Sequence, residues 1–265
     1  MSTPIRTARL DGKVAVITGS SRGIGAGIAR ELALRGATVV INYFSNADAA
    51  NVLVDEIKAA GGNAISIRAN ISEPEEIKAL FAEAKRQLSH IDIVISNSGI
   101  EHFNKTSEVT VAEFDKVFNL NTRGQFFVGQ AALQHLTDNG RLVLMSSISA
   151  HVSIREHAIY AGSKCAVEAF ARCFAPEFGK RGITVNSIAP GGVKTDMAAD
   201  VGHKYIPVAN PSWTMDDIEK FVSGRTPMGR MAVPEDIARV VAFLASEDAG
   251  WLSGQNITIS GGASA

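Results

Sequence analysis

The chain has 265 residues, of which 46% are hydrophobic and 20% charged, a composition typical of a globular protein that can bury a full apolar core. Its formal net charge is −1, so neither a basic excess nor an acidic tail points to nucleic acid or to an anionic membrane surface as a partner. The opening MSTPIRTARLDG lacks the apolar core of a signal peptide, and no apolar run has the length of a membrane span. A soluble, cytoplasmic protein is expected.

Apolar, β-branched segments alternate with amphipathic ones along the whole chain. Strands are predicted at 13–19, 37–43, 64–70, 91–99, 141–147, 183–192 and 256–260. Helices are predicted at 25–36, 47–62, 72–88, near 111–137, near 158–179 and near 234–246. Near-continuous apolar strands indicate a sheet covered on both faces, and the alternation indicates parallel strands joined by right-handed crossovers. The prediction is one α/β domain over 1–265, a doubly wound parallel sheet of seven strands with helices on both faces.

Two local features stand out from this regular pattern. Residues 196–228 contain three prolines and no strand pattern, and a break of that length in a compact α/β domain is typical of a lid over a site. Cys165 and Cys173 fall in one predicted helix, about 12 Å apart along its axis, too far for a disulfide. We expect two buried thiols in a reducing compartment.

A glycine-rich turn, TGSSRGIG at 18–25, lies between the first predicted strand and the first helix. Glycines at this position permit a tight turn and a close approach of the backbone to a pyrophosphate. The helix that follows directs its free N–H groups and the positive end of its dipole at the anion. The candidate phosphate-binding residues are Gly19, Arg22, Gly23, Ile24 and Gly25.

The end of the second strand indicates which dinucleotide would bind. An NAD site usually has an acidic residue there, but the strand ends INYFS, with no carboxylate at Asn42, Tyr43 or Ser45. Arg22 supplies a cation inside the glycine turn, and the hydroxyls of Tyr43 and Ser45 can donate hydrogen bonds. NADP(H) is therefore the predicted cofactor.

Two further segments follow strand ends, where open α/β sheets bind their ligands. Asn70 and Ile71 end the third strand and are predicted to face the adenine. Asn97, Ser98 and Gly99 end the fourth strand, where a turn of small residues keeps the backbone close to the adenine ribose.

A tyrosine and a lysine four residues apart, in YAGSK at 160–164, share one face of a predicted helix. A phenol normally ionises near pH 10, and the ammonium of Lys164 is expected to lower the pKa of Tyr160. Ser147, thirteen residues upstream at the end of the fifth strand, could donate a hydrogen bond to a substrate carbonyl beside the phenol. These residues form a candidate acid–base site, in which Tyr160 would be the acid and Lys164 the charge that tunes it.

These motifs together resemble the short-chain dehydrogenase/reductase family. The resemblance runs from about Leu10 to Gly262 and rests on TGSSRGIG, NSG, LNTRG, SS at 146–147, YAGSK and APGGVKT, in the family's order and spacing. It implies a Rossmann-type fold and a catalytic trio of Ser147, Tyr160 and Lys164. The chain departs from the family pattern at Asn70, where the family often has Asp, and in NSG, where it often has NAG.

The resemblance also implies roles for other residues. Asn121, in LNTRG, would hold a water in a proton relay through Lys164. The segment after the sixth strand would bind the nicotinamide, through Pro190, Gly191, Val193, Thr195 and Met197.

Within the family, SNSGI, FNLNTRGQFF, APGGVKTDM and YIP at 205–207 look like the fungal polyhydroxynaphthalene reductases, whose near relatives include anthrol reductases and a fungal 17β-hydroxysteroid dehydrogenase. This narrower resemblance implies flat phenolic polyketides in their keto tautomers as substrates. Tyr205 could stack on an aromatic ring and His157 could hydrogen-bond a phenol. The candidate substrate-binding residues are Ser147, Ile148, His157, Tyr160, Gly192, Tyr205 and Trp213; no metal ligands are predicted.

Three other functions stay open from the sequence: a 3-oxoacyl-[acyl-carrier-protein] reductase, which should have a basic docking patch, a 17β-hydroxysteroid dehydrogenase, and an NADP-binding sensor, which would be expected to have lost Tyr160 or Lys164.

The helices near 111–137 and 158–179 are apolar almost all round, with many phenylalanines. One sheet face cannot cover all of them, so we expect burial against another subunit, and the family resemblance implies a homotetramer.

Overall fold

Seven parallel strands form one sheet in the computed structural model, which describes residues 8–263. The strands are β1 (Val14–Ile17), β2 (Thr38–Tyr43), β3 (Asn63–Arg68), β4 (Ile93–Ser96), β5 (Arg141–Met145), β6 (Thr184–Pro190) and β7 (Asn256–Ile259). Their order is β3-β2-β1-β4-β5-β6-β7, and every neighbouring pair is parallel. The predicted doubly wound sheet is confirmed, and the predicted chain limits at 1 and 265 lie outside the described residues.

Helices cover both faces of this sheet. They are α1 (Gly23–Leu34), α2 (Ala47–Ala59), α3 (Pro74–Leu88), α4 (Val111–Phe118), α5 (Gln125–His135), α6 (Ala158–Phe178), α7 (Asp196–Val201), α8 (Met215–Ser223) and α9 (Pro234–Ala245). One apolar core joins α1, α2 and α9 to the sheet, and a second joins α3, α5 and α6 to the opposite face. β1, β4 and β5 are buried throughout, which explains their unbroken apolar sequences.

The predicted helix near 111–137 is interrupted. Residues Asn119–Gly124, NLNTRG, form a π-helical segment between α4 and α5. Such a widened turn is often found at functional sites, because it redirects a side chain that a regular helix would direct elsewhere. Here it turns Asn121 into the protein interior, where it is fully buried.

The prediction of two buried thiols is wrong for the single chain. Cys165 and Cys173 are both exposed on α6. The other face of this helix carries Val167, Phe174 and Phe178 into the core. Residues eight apart are about two turns apart along a helix, so the two cysteines share the outward face.

The irregular segment 196–228 contains α7, a 3₁₀ turn at Gly202–Tyr205 and α8. It carries most of a small apolar core that includes Ile206 and Ile218 and to which Met231, just after the segment, also belongs. Within residues 8–263 no helix is both long and apolar enough to cross a membrane.

Candidate active site

A cavity of about 940 Å³ lies at the carboxyl ends of the strands, between the sheet and the segment 196–228. Parallel α/β sheets bind ligands at this edge, because the loops that leave the strands diverge there. All the residues predicted for the cofactor line the cavity: Gly19, Arg22, Gly23, Ile24, Gly25, Asn42, Tyr43, Ser45, Asn70, Ile71, Asn97, Ser98, Gly99, Tyr160, Lys164, Pro190, Gly191, Val193, Thr195 and Met197.

The glycine turn after β1 adopts a conformation that side chains would prevent. Gly19 and Gly23 have φ of 60° and 56°, in the left-handed region. A Cβ at Gly19 would lie 2.8 Å from Ser98 Oγ, and one at Gly25 would lie 2.7 Å from the carbonyl oxygen of Gly19. The turn therefore keeps its backbone bare toward the cavity, at the N-terminus of α1, whose first turn has no acidic side chain. This cradle fits a pyrophosphate.

Two asparagines hold the glycine turn in place. Asn42 Oδ1 accepts a hydrogen bond from the N–H of Gly19 at 3.0 Å, and its Nδ2 donates to backbone carbonyls at the end of β3. Asn97 Nδ2 donates to the carbonyls of Thr18 and Gly19, both at 3.0 Å. The amide groups of Asn42 and Asn97 are thus engaged with the backbone, and both residues shape the cradle.

The rim of the cavity beside β2 suits a 2′-phosphate. Tyr43 and Ser45 line it, and residues 42–45 carry no carboxylate that would repel an anion. Arg22 also lines the cavity, with 70% of its side chain exposed and with Asp196 as an acidic partner at 3.8 Å. An exposed ion pair at that distance is weak, so the guanidinium stays available for a phosphate.

The serine, tyrosine and lysine predicted from the sequence converge at the inner end of the cavity. Ser147 follows β5, while Tyr160 and Lys164 come from the first turns of α6. Lys164 Nζ donates to the carbonyl of Met145 at 2.9 Å and lies 5.4 Å from the centroid of the Tyr160 ring. All three side chains are buried from bulk solvent yet line the cavity.

The charge environment of Tyr160 differs from the sequence-based expectation that Lys164 would lower its pKa. Burial, followed by the carboxyl group of Glu101, raises the pKa of Tyr160 well above 10, and a hydrogen bond with Ser147 opposes this in part. Burial lowers the pKa of Lys164 to about 8, and Glu101 opposes that change. The net change is upward because burial and a second charged neighbour, which the expectation left out, outweigh the ammonium.

Asn121 does not line the cavity. Its Oδ1 accepts from the N–H of Ile100 at 2.9 Å, and its Nδ2 donates to the Ile100 carbonyl and to Ser163 Oγ. Ser163 Oγ in turn donates to the carbonyl of Tyr160 at 2.7 Å. The side chain therefore ties the loop after β4 to the first turn of α6.

The candidate substrate-binding residues separate into two groups. Five of them line the cavity: Ser147, Ile148, Tyr160, Gly192 and Tyr205. His157 and Trp213 do not. His157 is buried behind Tyr205, with Nε2 3.1 Å from the Tyr205 hydroxyl, and Trp213 packs on Phe221 within the segment 196–228. Both placements correct the sequence-based expectation, because His157 supports Tyr205 and Trp213 belongs to the small apolar core.

Sequence reasoning missed three residues that shape this end of the cavity. Glu101 lines it beside Tyr160, Phe103 stacks on His157, and Gln125 Nε2 donates to the Met145 carbonyl at 2.9 Å. A signal existed for Glu101, since an acidic residue two positions after NSG stands at a strand end. Gln125 sits in an apolar helix, and only its contact with β5 reveals it.

One cavity holds both the glycine cradle and the serine–tyrosine–lysine cluster. This arrangement is suited to hydride transfer between a nicotinamide and a carbonyl carbon. It defines a dinucleotide-dependent oxidoreductase. The chain belongs to the short-chain dehydrogenase/reductase family. A family model described as Enoyl-(Acyl carrier protein) reductase matches residues 19–264.

Relatives and a solved structure agree with this assignment. The chain is 54% identical over 254 residues, 96% of its length and 95% of the relative's, to Hydroxynaphthalene reductase-like protein Arp2 of Metarhizium brunneum. It is 48% identical over 98% of its length and 92% of the relative's to Trihydroxynaphthalene reductase of Colletotrichum orbiculare. A short-chain dehydrogenase from Burkholderia cenocepacia, solved in complex with NADP, superimposes with a TM-score of 0.87 at 34% identity, covering 97% and 100% of the two chains.

Burial of His157 makes the stability of the fold depend on pH. Burial lowers the pKa of His157 from 6.5 to about 4. As the pH falls below 6.5 the unfolded chain takes up a proton that the folded chain does not, so the folded state loses stability. We expect His157 to account for a loss of about 2 kcal/mol between pH 7 and pH 5.

Urea unfolding at several pH values measures this contribution. The His157→Gln variant keeps a donor and an acceptor but cannot titrate, so its stability should fall less steeply over the same range. Equal slopes for the two proteins would contradict a buried neutral His157.

Proposed function

We propose that the chain is an NADPH-dependent carbonyl reductase that acts on flat phenolic polyketides, of the hydroxynaphthalene or anthrol type, in their keto tautomers. The observation that carries the proposal is the single cavity that holds both the glycine cradle and the hydroxyls of Ser147 and Tyr160. The names of the two curated relatives support the choice of substrate class.

The cradle residues would hold the pyrophosphate, and Arg22 with Tyr43 and Ser45 would hold the 2′-phosphate. The nicotinamide would supply the hydride when bound. Ser147 donates a hydrogen bond to the substrate carbonyl oxygen, which withdraws electron density from the carbon. Tyr160 donates its phenolic proton to the same oxygen as negative charge develops there. Lys164, buried and bound to the carbonyl of Met145, places a positive charge beside both.

An aromatic substrate fits the remaining walls. Ile148, Val193 and Met197 give the cavity an apolar lining, and Tyr205 contributes an aromatic ring. Phe103 holds Tyr205 edge-on at 4.9 Å between ring centroids, which fixes its orientation. Apolar and aromatic walls of this kind suit a flat aromatic ring.

The first rival function, a 3-oxoacyl-[acyl-carrier-protein] reductase, has less support. An acidic carrier protein would need free basic side chains near the cavity mouth. Three basic residues of the segments that follow β5 and β6 each have a partner: Arg155 lies near Glu156, Lys194 pairs with Glu219, and Lys204 lies over the ring of Phe103. A 17β-hydroxysteroid dehydrogenase stays an alternative, since steroids are also flat.

The test is anaerobic NADPH oxidation with reduced anthraquinones, hydroxynaphthalenone analogues, steroids and acetoacetyl thioesters. We expect turnover of the first two groups. In the Tyr160→Phe variant kcat should fall at least about 100-fold, because the general acid is lost, while NADPH binding stays nearly unchanged.

Tyr205→Phe is the matched control, since it removes a phenolic hydroxyl from the same cavity and leaves the acid in place; it should retain most of kcat. Turnover by Tyr160→Phe would mean that another group donates the proton. Activity confined to the thioesters would overturn the proposed substrate class.

The choice of NADPH over NADH is tested at Arg22. In Arg22→Ala the affinity for NADPH should fall about tenfold or more, because a charge-assisted hydrogen bond to the 2′-phosphate is lost. The affinity for NADH should stay within about twofold of the original. Arg30→Ala, which removes an arginine of α1 that pairs with Glu56, is the control and should change neither. Equal losses for both cofactors would refute a phosphate contact.

We also propose that the chain forms one domain in which 196–228 acts as the lid, and that it assembles into a cytoplasmic homotetramer. Val111, Phe114 and Phe126 remain exposed on α4 and α5. Two free cysteines lie exposed on the adjacent α6. An apolar surface of this kind is typical of an interface between subunits.

Sedimentation velocity at micromolar concentration tests this assembly. The native chain should sediment as a tetramer, and Phe126→Glu should sediment as a smaller species because it places a charge in the apolar contact. Leu34→Glu, a change at an exposed leucine of α1 on the opposite face of the sheet, should leave the tetramer intact. A native chain that sediments as a monomer would contradict the proposed tetramer.

A further inference from the structure

Glu101 places a buried carboxyl group in the cavity, and the mechanism above assigns it no task. It stands five residues after the end of β4, in the loop that Asn121 clamps through both backbone groups of Ile100. Only 11% of its side chain is exposed, and His157 Nε2 lies 3.5 Å from its Oε2. Oε2 is buried and has no hydrogen-bond partner among residues 8–263. Burying a carboxylate costs free energy unless nearby groups offset its charge.

Five groups lie around Tyr160, brought together from α6 and from three other parts of the fold. Lys164 lies one turn along α6, Ser147 follows β5, His157 precedes α6, Tyr205 comes from the segment 196–228, and Glu101 comes from the loop after β4. Which of these groups carries charge decides how readily the phenol ionises.

His157 and Tyr205 contribute no charge. His157 Nδ1 lies 2.8 Å from the carbonyl of His102, which can only accept, so Nδ1 carries the proton and donates it. Nε2 of the neutral ring is then an acceptor, and the Tyr205 hydroxyl donates to it at 3.1 Å. Burial lowers the pKa of His157 to about 4 and raises that of Tyr205, so both stay neutral around pH 7.

Lys164 and Glu101 are therefore the two charged groups that face the phenol, and they act in opposite directions. The ammonium favours the phenolate, whereas a carboxylate beside it would force two negative charges into one buried site. Burial raises the pKa of Glu101 above 4.5, with the hydroxyls of Tyr205 and Tyr160 and the charge of Lys164 opposing the rise. A carboxyl group is a much stronger acid than a phenol, and both groups are buried in the same site, so Glu101 ionises at a lower pH than Tyr160.

We propose that Glu101 is a positioning residue for the reduction, whose carboxylate opposes ionisation of the Tyr160 phenol and so holds it in its protonated form. Its catalytic consequence rests on the proposed function, in which Tyr160 is the proton donor. Reduction needs the protonated phenol, so Glu101 extends the pH range of activity upward.

The ionisation of Tyr160 can be measured directly, without substrate or cofactor. The chain has only three tyrosines, and phenolate formation changes near-ultraviolet absorbance. Subtracting the titration of a matching Tyr160→Phe protein isolates the signal of Tyr160. In Glu101→Gln, which keeps the shape and removes the charge, Tyr160 should ionise at a pH lower by about one unit or more. Glu101→Asp keeps the charge and should stay closer to the native protein.

The pH profile of kcat/KM for NADPH-dependent reduction supplies the second readout. Its alkaline limb should move to lower pH in Glu101→Gln, because the lost carboxylate opposes ionisation of Tyr160 and also raises the pKa of Lys164. A merely structural role would lower kcat/KM at every pH and leave the limb in place. Circular dichroism across the pH range restricts the comparison to folded protein.

The outcomes separate the two proposals. An unchanged or higher ionisation pH for Tyr160 in Glu101→Gln overturns the role of Glu101, whatever the enzyme reduces. A shifted titration with an unmoved alkaline limb also overturns it, because the charge would then not act through the proton donor. A shifted titration in a protein that reduces none of the ketones supports the electrostatic effect of Glu101 and overturns the proposed function instead.

Discussion

The buried ammonium of Lys164 is the constraint around which the site is organised. Only 2% of the residue is exposed, and a charge so placed must find strong partners. Its Nζ binds the carbonyl of Met145, the last residue of β5, and that carbonyl also accepts from Gln125 at the start of α5. This shared acceptor joins a strand and two helices at one point. Burial and the nearby Glu101 together set the pKa of Lys164 at about 8.

A second set of hydrogen bonds joins the loop after β4 to the start of α6. Asn121, turned inward by the π-helical segment, binds the backbone of Ile100 on one side and Ser163 on the other. Ser163 binds the carbonyl of Tyr160. The loop that presents Glu101 and the helix that presents Tyr160 are therefore fixed relative to each other. Polar networks that are fully satisfied in a low-dielectric interior are rigid, as preorganised catalysis requires.

The cofactor cradle is also held rigid by hydrogen bonds, here from asparagine side chains to the backbone. Asn42 and Asn97, from the ends of β2 and β4, bind the backbone of the glycine turn from two sides. The turn is thereby held in its left-handed conformation before any ligand arrives, so binding need not order it. Arg22, with 70% of its side chain exposed and Asp196 at 3.8 Å, can still respond to the ligand's charge.

The sequence by itself determined the sheet, its helices, the glycine cradle and the serine–tyrosine–lysine cluster. Each of these depends on short-range periodicity or on motifs whose spacing is local. The observed limits of β1 and α6 lie within two residues of the predicted ones. Tertiary structure decided what depends on long-range contact: the π-helical break at 119–124, the exposed cysteines, the place of His157 behind Tyr205, and above all the pKa of Tyr160. That pKa reflects burial and a carboxylate 59 positions away in the sequence, and Coulomb forces act through space and not along the chain.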